Sequence, residues 1–318
     1  MRCLGPRACQ SKRTLKNTLH EEGQWLGYSL SKRSIKRERG MRWHSIRKQG
    51  GLAVITGGAS GLGLAAARHL AGQGFDILLI DMAPAPLEAA AKALRDSGAV
   101  VHTQVTDVSD AEQMDKLADY AFDLGHVALL MNNAGVAMPS TTLDQPSAWR
   151  KMMEVNFFGV LNGVQSFLPK MIEAGLPAAV INTGSKQGIT NPPGNPAYNA
   201  SKAALKVLTE QLAHEMRDAA APIDVHLFVP GFTYTGMIAS VMPTKPDGAW
   251  TSEECVEYLF DRVEKGDFYI LCPDNMVTPR IDARRLLWSV GDIVENRPAL
   301  SRWHPDWADA FASFERND

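Results

Sequence analysis

Cysteine is scarce in this chain. Four occur in 318 residues, at Cys3, Cys9, Cys255 and Cys272. No two form a C-x-x-C pair, so neither a zinc site nor a disulfide framework is indicated. Histidines such as His69, His102, His126, His214 and His226 are scattered without metal-ligand spacing, and the metal expectation is none. Long apolar runs are missing too: no stretch reaches the roughly 18 residues that a membrane-spanning helix needs. An uninterrupted apolar core near the N-terminus, the mark of a secretory signal, is likewise absent. Internal repeats are lacking, and the one low-complexity tract is the alanine-rich stretch 85–94. Net charge is small, a formal −2, but it conceals an asymmetry. Residues 1–48 carry thirteen Lys/Arg against three Glu, whereas the rest carries twenty basic and thirty-two acidic side chains.

That first segment has no clear strand or helix periodicity and reads as a disordered basic extension, 1–48. It can be read as a solvated tail, or as an over-extended reading frame, since Met41 stands just before the first strand. It can also be read as a mitochondrial transit segment, or as an arm for nucleic acid or another anionic surface. The first two are favoured, so the expectation is a cytoplasmic protein with neither membrane nor nucleic-acid partner.

From residue 49 onward the pattern is regular. Strand-like runs fall at 52–55, 76–80, 99–104, 127–131, 178–183, 223–229 and 267–272. Helical periodicity fills the gaps at 61–73, 84–97, 110–124, 145–174, 197–219 and 252–265. Strict alternation of the two predicts a parallel sheet with helices on both faces. This gives a catalytic domain over 49–272 and a C-terminal helical extension over 273–318. Helices are expected there at 278–295 and about 306–314, with Trp288, Trp307, Phe311 and Phe314 packing on the core.

The first strand runs straight into Thr56-Gly57-Gly58-Ala59-Ser60-Gly61-Leu62-Gly63 and then a helix. A strand, a glycine-rich turn and a helix N-terminus present backbone N–H groups to a pyrophosphate. The second strand ends in Asp81, where a carboxylate can bind the ribose hydroxyls of an adenine nucleotide. Downstream, Tyr198 and Lys202 are four apart and share one helix face, with Ser185 thirteen residues upstream. A fixed cation lowers a phenol's pKa, so this set offers an acid/base, its tuning charge and a hydroxyl partner. Asn156, mid-helix among apolar neighbours, needs a reason, because its side chain competes with the backbone.

In these residues the chain resembles the short-chain dehydrogenase/reductase family in its single-domain form, over about 52–272. Thr56 to Gly63 matches the family's Thr-Gly-x-x-x-Gly-x-Gly, and Asp107-Val108 the pair that meets the adenine. Asn132-Asn133-Ala134-Gly135 matches the motif after the fourth strand. Pro230-Gly231 with Thr235 matches the segment that meets the nicotinamide carboxamide. The resemblance implies a doubly wound α/β, Rossmann-like fold of about seven strands. It implies catalytic Asn156, Ser185, Tyr198 and Lys202. It places the cofactor on Thr56, Gly57, Ser60, Gly61, Leu62, Gly63, Asp81, Asp107, Val108, Asn133, Ala134, Gly135, Tyr198, Lys202, Pro230, Gly231 and Thr235.

The implied reaction is hydride transfer between a secondary alcohol and a ketone, with Asn156 holding a water in the proton relay. Asp81 would repel a 2′-phosphate, and neither Ser60 nor Met82 supplies a cation, so NAD is expected over NADP. Segment 232–251 corresponds to a lid, and its apolar side chains suit a hydrophobic or aromatic substrate. Met138, Gln187 and Met237 are the expected substrate contacts, with Lys186 beside them. The family's usual assembly is a homodimer or homotetramer; the long C-terminal extension puts the tetramer in doubt. An epimerase on the same scaffold and a catalytically silent NAD-binding partner protein are the alternatives.

Overall fold

The computed structural model describes residues 42–239 and 242–316. It begins with helix α1 over 42–49, then alternates: β1 Leu52–Thr56, α2 Gly61–Ala71, β2 Asp76–Asp81, α3 Pro84–Asp96, β3 Val101–Val105, α4 Ala111–Leu124 and β4 Val127–Asn132. The second half runs α5 Pro146–Met153, a π turn Glu154–Phe158, α6 Gly159–Ala174, β5 Ala178–Thr183, α7 Gln187–Thr190, α8 Pro196–Asp218 and β6 Ile223–Val229. It continues through α9 Gly236–Ala239, α10 Ser252–Glu264, β7 Tyr269–Leu271, α11 Pro279–Val294 and α12 Ala308–Arg316.

The seven strands form one sheet in the order β3-β2-β1-β4-β5-β6-β7, and every pairing is parallel. Alternation along each strand sorts side chains onto two faces. Ala53, Ile55, Ile77 and Leu79 join one apolar cluster with α1, α2, α3 and α10. Leu52, Val54, Leu78 and Ile80 join another with α4, α6 and α8. Both faces are therefore covered, which is why the strands read as near-continuous apolar runs. The order reverses direction between β1 and β4, and ligands bind such sheets at the strand C-termini beside that switch point.

Four differences from the sequence reading matter for the fold. The third and last strands are shorter than expected, at 101–105 and 269–271. The helix expected over 145–174 is interrupted by the π turn at Glu154–Phe158. Residues 42–48, assigned to the basic extension, lie in α1 instead. Trp43 is 2% exposed and lies between Phe75 and Phe260, ring centroids 6.2 and 5.6 Å away. Arg42 pairs with buried Asp224 at 2.7 Å. A Trp-x-x-Ile spacing is too short to stand out from the surrounding basic residues, so the helix was hidden by composition. Residues 1–41, including Cys3 and Cys9, lie outside the described residues.

The C-terminal helices gather round Trp288, which is buried. Trp307, Phe311 and Phe314 surround it, with ring centroids 5.2 to 6.2 Å away. Its indole N–H donates to Ser301 Oγ at 2.7 Å. No helix among the described residues is long and apolar enough to cross a membrane.

Candidate active site

The glycine-rich turn is shaped by close contact. Gly57 has φ +65°, and a Cβ there would lie 2.9 Å from Ala134 Cα. A Cβ on Gly63 would lie 2.2 Å from the Gly57 carbonyl oxygen. Only glycine fits either place. Helix α2 starts at Gly61 with Ser60 as its N-cap residue, and the Ser60 side chain makes no capping bond. Its first turn carries no acidic residue. The opening N–H groups are thus left to an anion, which a helix N-terminus favours. Leu62 packs on the apolar cluster beneath. This cradle fits a dinucleotide pyrophosphate.

Asp81 closes the cradle at the end of β2. Its carboxylate accepts from Ala59 N–H and Ala83 N–H, both at 3.2 Å. The turn and the strand end are thereby locked together, and neighbouring Met82 is exposed. Across the switch point, Thr56 Oγ1 accepts from the N–H groups of Asn133 and Ala134 at 2.9 and 3.1 Å. Asn133 Nδ2 donates back to the Thr56 carbonyl at 3.1 Å.

Further along the edge, Asp107 accepts from Ser109 N–H and Oγ at 2.9 and 2.6 Å. Burial pushes this carboxyl up, but the Ser109 hydrogen bonds, with Lys151 nearby, outweigh it and hold it below the ordinary range. The Val108 carbonyl is fixed by Asn162 Nδ2 at 2.9 Å.

The four side chains expected to be catalytic come from three elements. Ser185 stands just past β5, and its Oγ accepts from Gln187 N–H at 3.2 Å. Tyr198 and Lys202 lie on α8, and Lys202 Nζ is 5.9 Å from the Tyr198 ring centroid. Lys202 is buried and donates to the Thr183 carbonyl at 2.8 Å. Asn156 sits within the π turn and is fully buried. Its Oδ1 accepts from Val136 N–H at 2.8 Å. Its Nδ2 donates to the Val136 carbonyl at 2.9 Å and to Ser201 Oγ at 3.1 Å. These bonds supply the reason that a mid-helix asparagine needed; π turns are frequent at functional sites. Gly135 runs between: a Cβ there would lie 3.3 Å from Asn156 Oδ1 and 3.6 Å from Lys202 Nζ.

Burial dominates the electrostatics of the Tyr198–Lys202 pair. Burial pushes the Tyr198 phenol above its ordinary range, and a hydrogen bond from Ser185 offsets this only in part. Lys202 was expected to lower it. Burial also pushes Lys202 down to about 8, because desolvation disfavours both charged forms.

The remaining positions divide. Pro230 and Gly231 come directly after β6, and a Cβ on Gly231 would meet the Pro273 carbonyl oxygen at 2.7 Å. Thr235 reaches the glycine-rich turn, its Cβ 3.4 Å from where a Gly61 Cβ would stand. Met138 and Gln187 are exposed beyond the reacting groups. Met237 lies on α9; its side chain is outside the described part. Lys186 is half-buried and pairs with Asp282 at 2.7 Å. Thr183, Val136 and Ser201 were missed as supports. Thr183 and Val136 act through backbone atoms, which carry no residue signature.

Among the described residues no group of three or more His, Cys, Asp or Glu could hold a metal. Thr56 to Gly63, Asp81, Asn133 to Gly135, Ser185 and Pro230-Gly231 stand at the C-terminal ends of β1, β2, β4, β5 and β6, the edge at which such sheets bind ligands. Residues 51–246 match the model of the short chain dehydrogenase family. The chain is 31% identical over 228 residues to a 1-deoxy-11-beta-hydroxypentalenate dehydrogenase of Streptomyces exfoliatus, covering 69% of this chain and 81% of that one. It is 36% identical over 195 residues to a galactitol 2-dehydrogenase (L-tagatose-forming) of Cereibacter sphaeroides, covering 60% and 75%. A crystal structure of a short chain dehydrogenase/reductase from Burkholderia phymatum in complex with NAD superposes with TM-score 0.71 at 32% identity, covering 78% of this chain and 95% of that one. Motif order, sheet order and these matches agree, and the chain belongs to the short chain dehydrogenase family.

Proposed function

We propose that this chain is an NAD-dependent oxidoreductase that interconverts a secondary alcohol and a ketone, with Tyr198 as the general acid/base. The observation that carries the reading is the approach of Ser185, Tyr198 and Lys202 to one another at the sheet edge that also bears the glycine-rich cradle. Bound NAD would supply the hydride acceptor. The chain's own residues do the rest. Ser185 Oγ holds the substrate oxygen and donates to it as negative charge develops there. The Tyr198 phenolic oxygen takes the hydroxyl proton in oxidation and returns it in reduction. A phenol with a raised pKa is protonated at neutral pH, so reduction finds its acid ready while oxidation needs the scarcer phenolate.

Lys202 holds the nicotinamide ribose, and Asn156 anchors a water that links Lys202 to solvent. The close packing of both against Gly135 supports that relay. On the nucleotide side, Thr56, the turn from Gly57 to Gly63, Asp107, Val108 and Asn133 to Gly135 form the cofactor wall, with Pro230, Gly231 and Thr235 opposite. Asp81 favours NAD, because its fixed carboxylate would face a 2′-phosphate with no cation at Ser60 or Met82. The substrate side carries Met138, Phe232 and Met242, all partly exposed apolar side chains, which suit a hydrophobic or aromatic alcohol and exclude water.

The test is an assay of reduced-nicotinamide absorbance with NAD and with NADP. The alcohols are cyclohexanol, 1-phenylethanol, galactitol and a hydroxylated terpenoid acid. NAD-linked oxidation of an apolar member is expected. Turnover with NADP alone, or of galactitol alone, would refute the cofactor or substrate assignment respectively. No turnover together with no NADH binding would refute the reading itself.

A further inference from the structure

Lys186 lies beside the catalytic serine position yet points into a buried cluster of acids. Its side chain is 18% exposed, and those of Asp274 and Asp282 are 5% and 6% exposed. Lys186 Nζ is 2.7 Å from Asp282 Oδ2 and 3.6 Å from Asp274 Oδ2. One ammonium therefore serves two carboxylates from the C-terminal extension.

Each partner reaches a different part of the site. Asp274 Oδ2 accepts from Phe232 N–H at 3.2 Å, directly after Pro230-Gly231. Asp274 Oδ1 accepts from Met276 and Val277 N–H at 3.0 and 2.7 Å, which shapes the entry to α11. Asp282 stands in the first turn of α11, where Thr278 caps the helix. Lys186 is the N-cap residue of α7, and α7 is pressed onto α8. A Cβ on Gly188 would lie 2.5 Å from the Lys202 carbonyl carbon. Helix α7 is thus a plate between Lys202 and α11, and Ser185 is its leading edge.

A buried ion pair brings little net stability over apolar residues of the same shape. Three charges in so small a space are better explained by fixed orientation. We propose that Lys186, with Asp274 and Asp282, is a positioning cluster that ties the C-terminal extension to the serine loop and to the 230–232 segment. It sets Ser185 against Tyr198 for the chemical step, while Asp274 keeps its own bond from Phe232 N–H, so removing Lys186 leaves the nicotinamide-facing Pro230-Gly231 in place. The inference rests on the oxidoreductase reading above.

The experiment compares full-length wild type, Lys186→Met, Lys186→Arg and the double variant Lys186→Met/Asp282→Leu, which leaves one buried carboxylate fewer unpaired. Three quantities are read: kcat and KM on the alcohol that wild type oxidises fastest, NADH affinity by fluorescence, and amide hydrogen exchange across 187–190 and 279–294. Displacing a reacting group by about 1 Å can cost on the order of 100-fold. Lys186→Met and the double variant are expected to lose about 10- to 100-fold in kcat with NADH affinity unchanged. Lys186→Arg is expected to recover most of that loss. Both segments should exchange faster together in Lys186→Met. If that variant fails to fold, the double variant is decisive. Wild-type kcat in the double variant, or a loss confined to NADH affinity, overturns the proposal. If wild type oxidises nothing and binds no NADH, the oxidoreductase reading is what fails. The cluster is then judged by exchange alone, and unchanged exchange across 187–190 overturns it.

Discussion

The two sides of the switch point are built differently. On the β1–β3 side, the cradle is mostly backbone: two positive-φ glycines, Gly57 and Gly61, sites where a Cβ would collide, and an uncapped helix start. On the β4–β7 side, position is set by buried side chains reaching across the fold. Asn132 Nδ2 donates to Asn182 Oδ1 at 2.9 Å, and Asn182 Nδ2 donates to Thr209 Oγ1 at 3.1 Å. Asn156 spans to Val136 and Ser201, and Lys202 to Thr183. A phosphate needs N–H groups and room, which a turn supplies locally. A proton transfer needs atoms from several elements held in register, which only satisfied buried polar contacts supply. The nucleotide side should therefore fail by collision, and the reaction side by loss of alignment.

The strongest way to break the first half of that comparison is Gly63→Ala. Its Cβ would strike the Gly57 carbonyl oxygen, and backbone cannot step aside. Overpacking of this kind costs about 1–3 kcal/mol, and NADH binding should be lost; calorimetric titration and thermal melts check both. Asn156→Ala attacks the other half. It leaves the Val136 N–H and carbonyl without their partner, and an unsatisfied buried group costs about 1–3 kcal/mol. Denaturant unfolding should show that loss, while NADH affinity should persist and kcat fall. Asp81→Ser is the mildest. It removes a charge without adding bulk, and the NAD/NADP ratio of kcat/KM should drop by about tenfold, ~1.4 kcal/mol. An unchanged ratio would place cofactor choice elsewhere.

The same division explains what could be read from the sequence. The cradle, Asp81 and the Tyr198–Lys202 pair were legible because each is a short local pattern tied to a strand end or a helix turn. The inner strands β1, β4 and β5 were legible because buried parallel strands are apolar nearly throughout, while edge strand β3, Val-His-Thr-Gln-Val, was legible chiefly from its place in the alternation. At Asn156 the resemblance implies a kinked helix, but the π turn and its partner were not legible, since the bond from Val136 N–H joins residues twenty apart and leaves no local pattern. Helix α1 was hidden by its basic setting, although Trp43 is among the most deeply buried side chains. The turning of Lys186 toward Asp274 and Asp282 was invisible, because those acids arrive from nearly ninety residues downstream or more. The upward shift of Tyr198 was missed for a related reason: spacing along a helix shows which charges are near, but not how dry the site is.

The most direct measurement is the pH dependence of kcat/KM for alcohol oxidation, in wild type and Tyr198→Phe, with NADH affinity measured in parallel. With the phenol raised by burial, wild-type oxidation should climb with pH as phenolate forms. Tyr198→Phe should lie about 100- to 10,000-fold lower without that climb, while binding NADH as wild type does. A variant that keeps wild-type oxidation and its pH dependence would contradict the assignment of the proton to Tyr198.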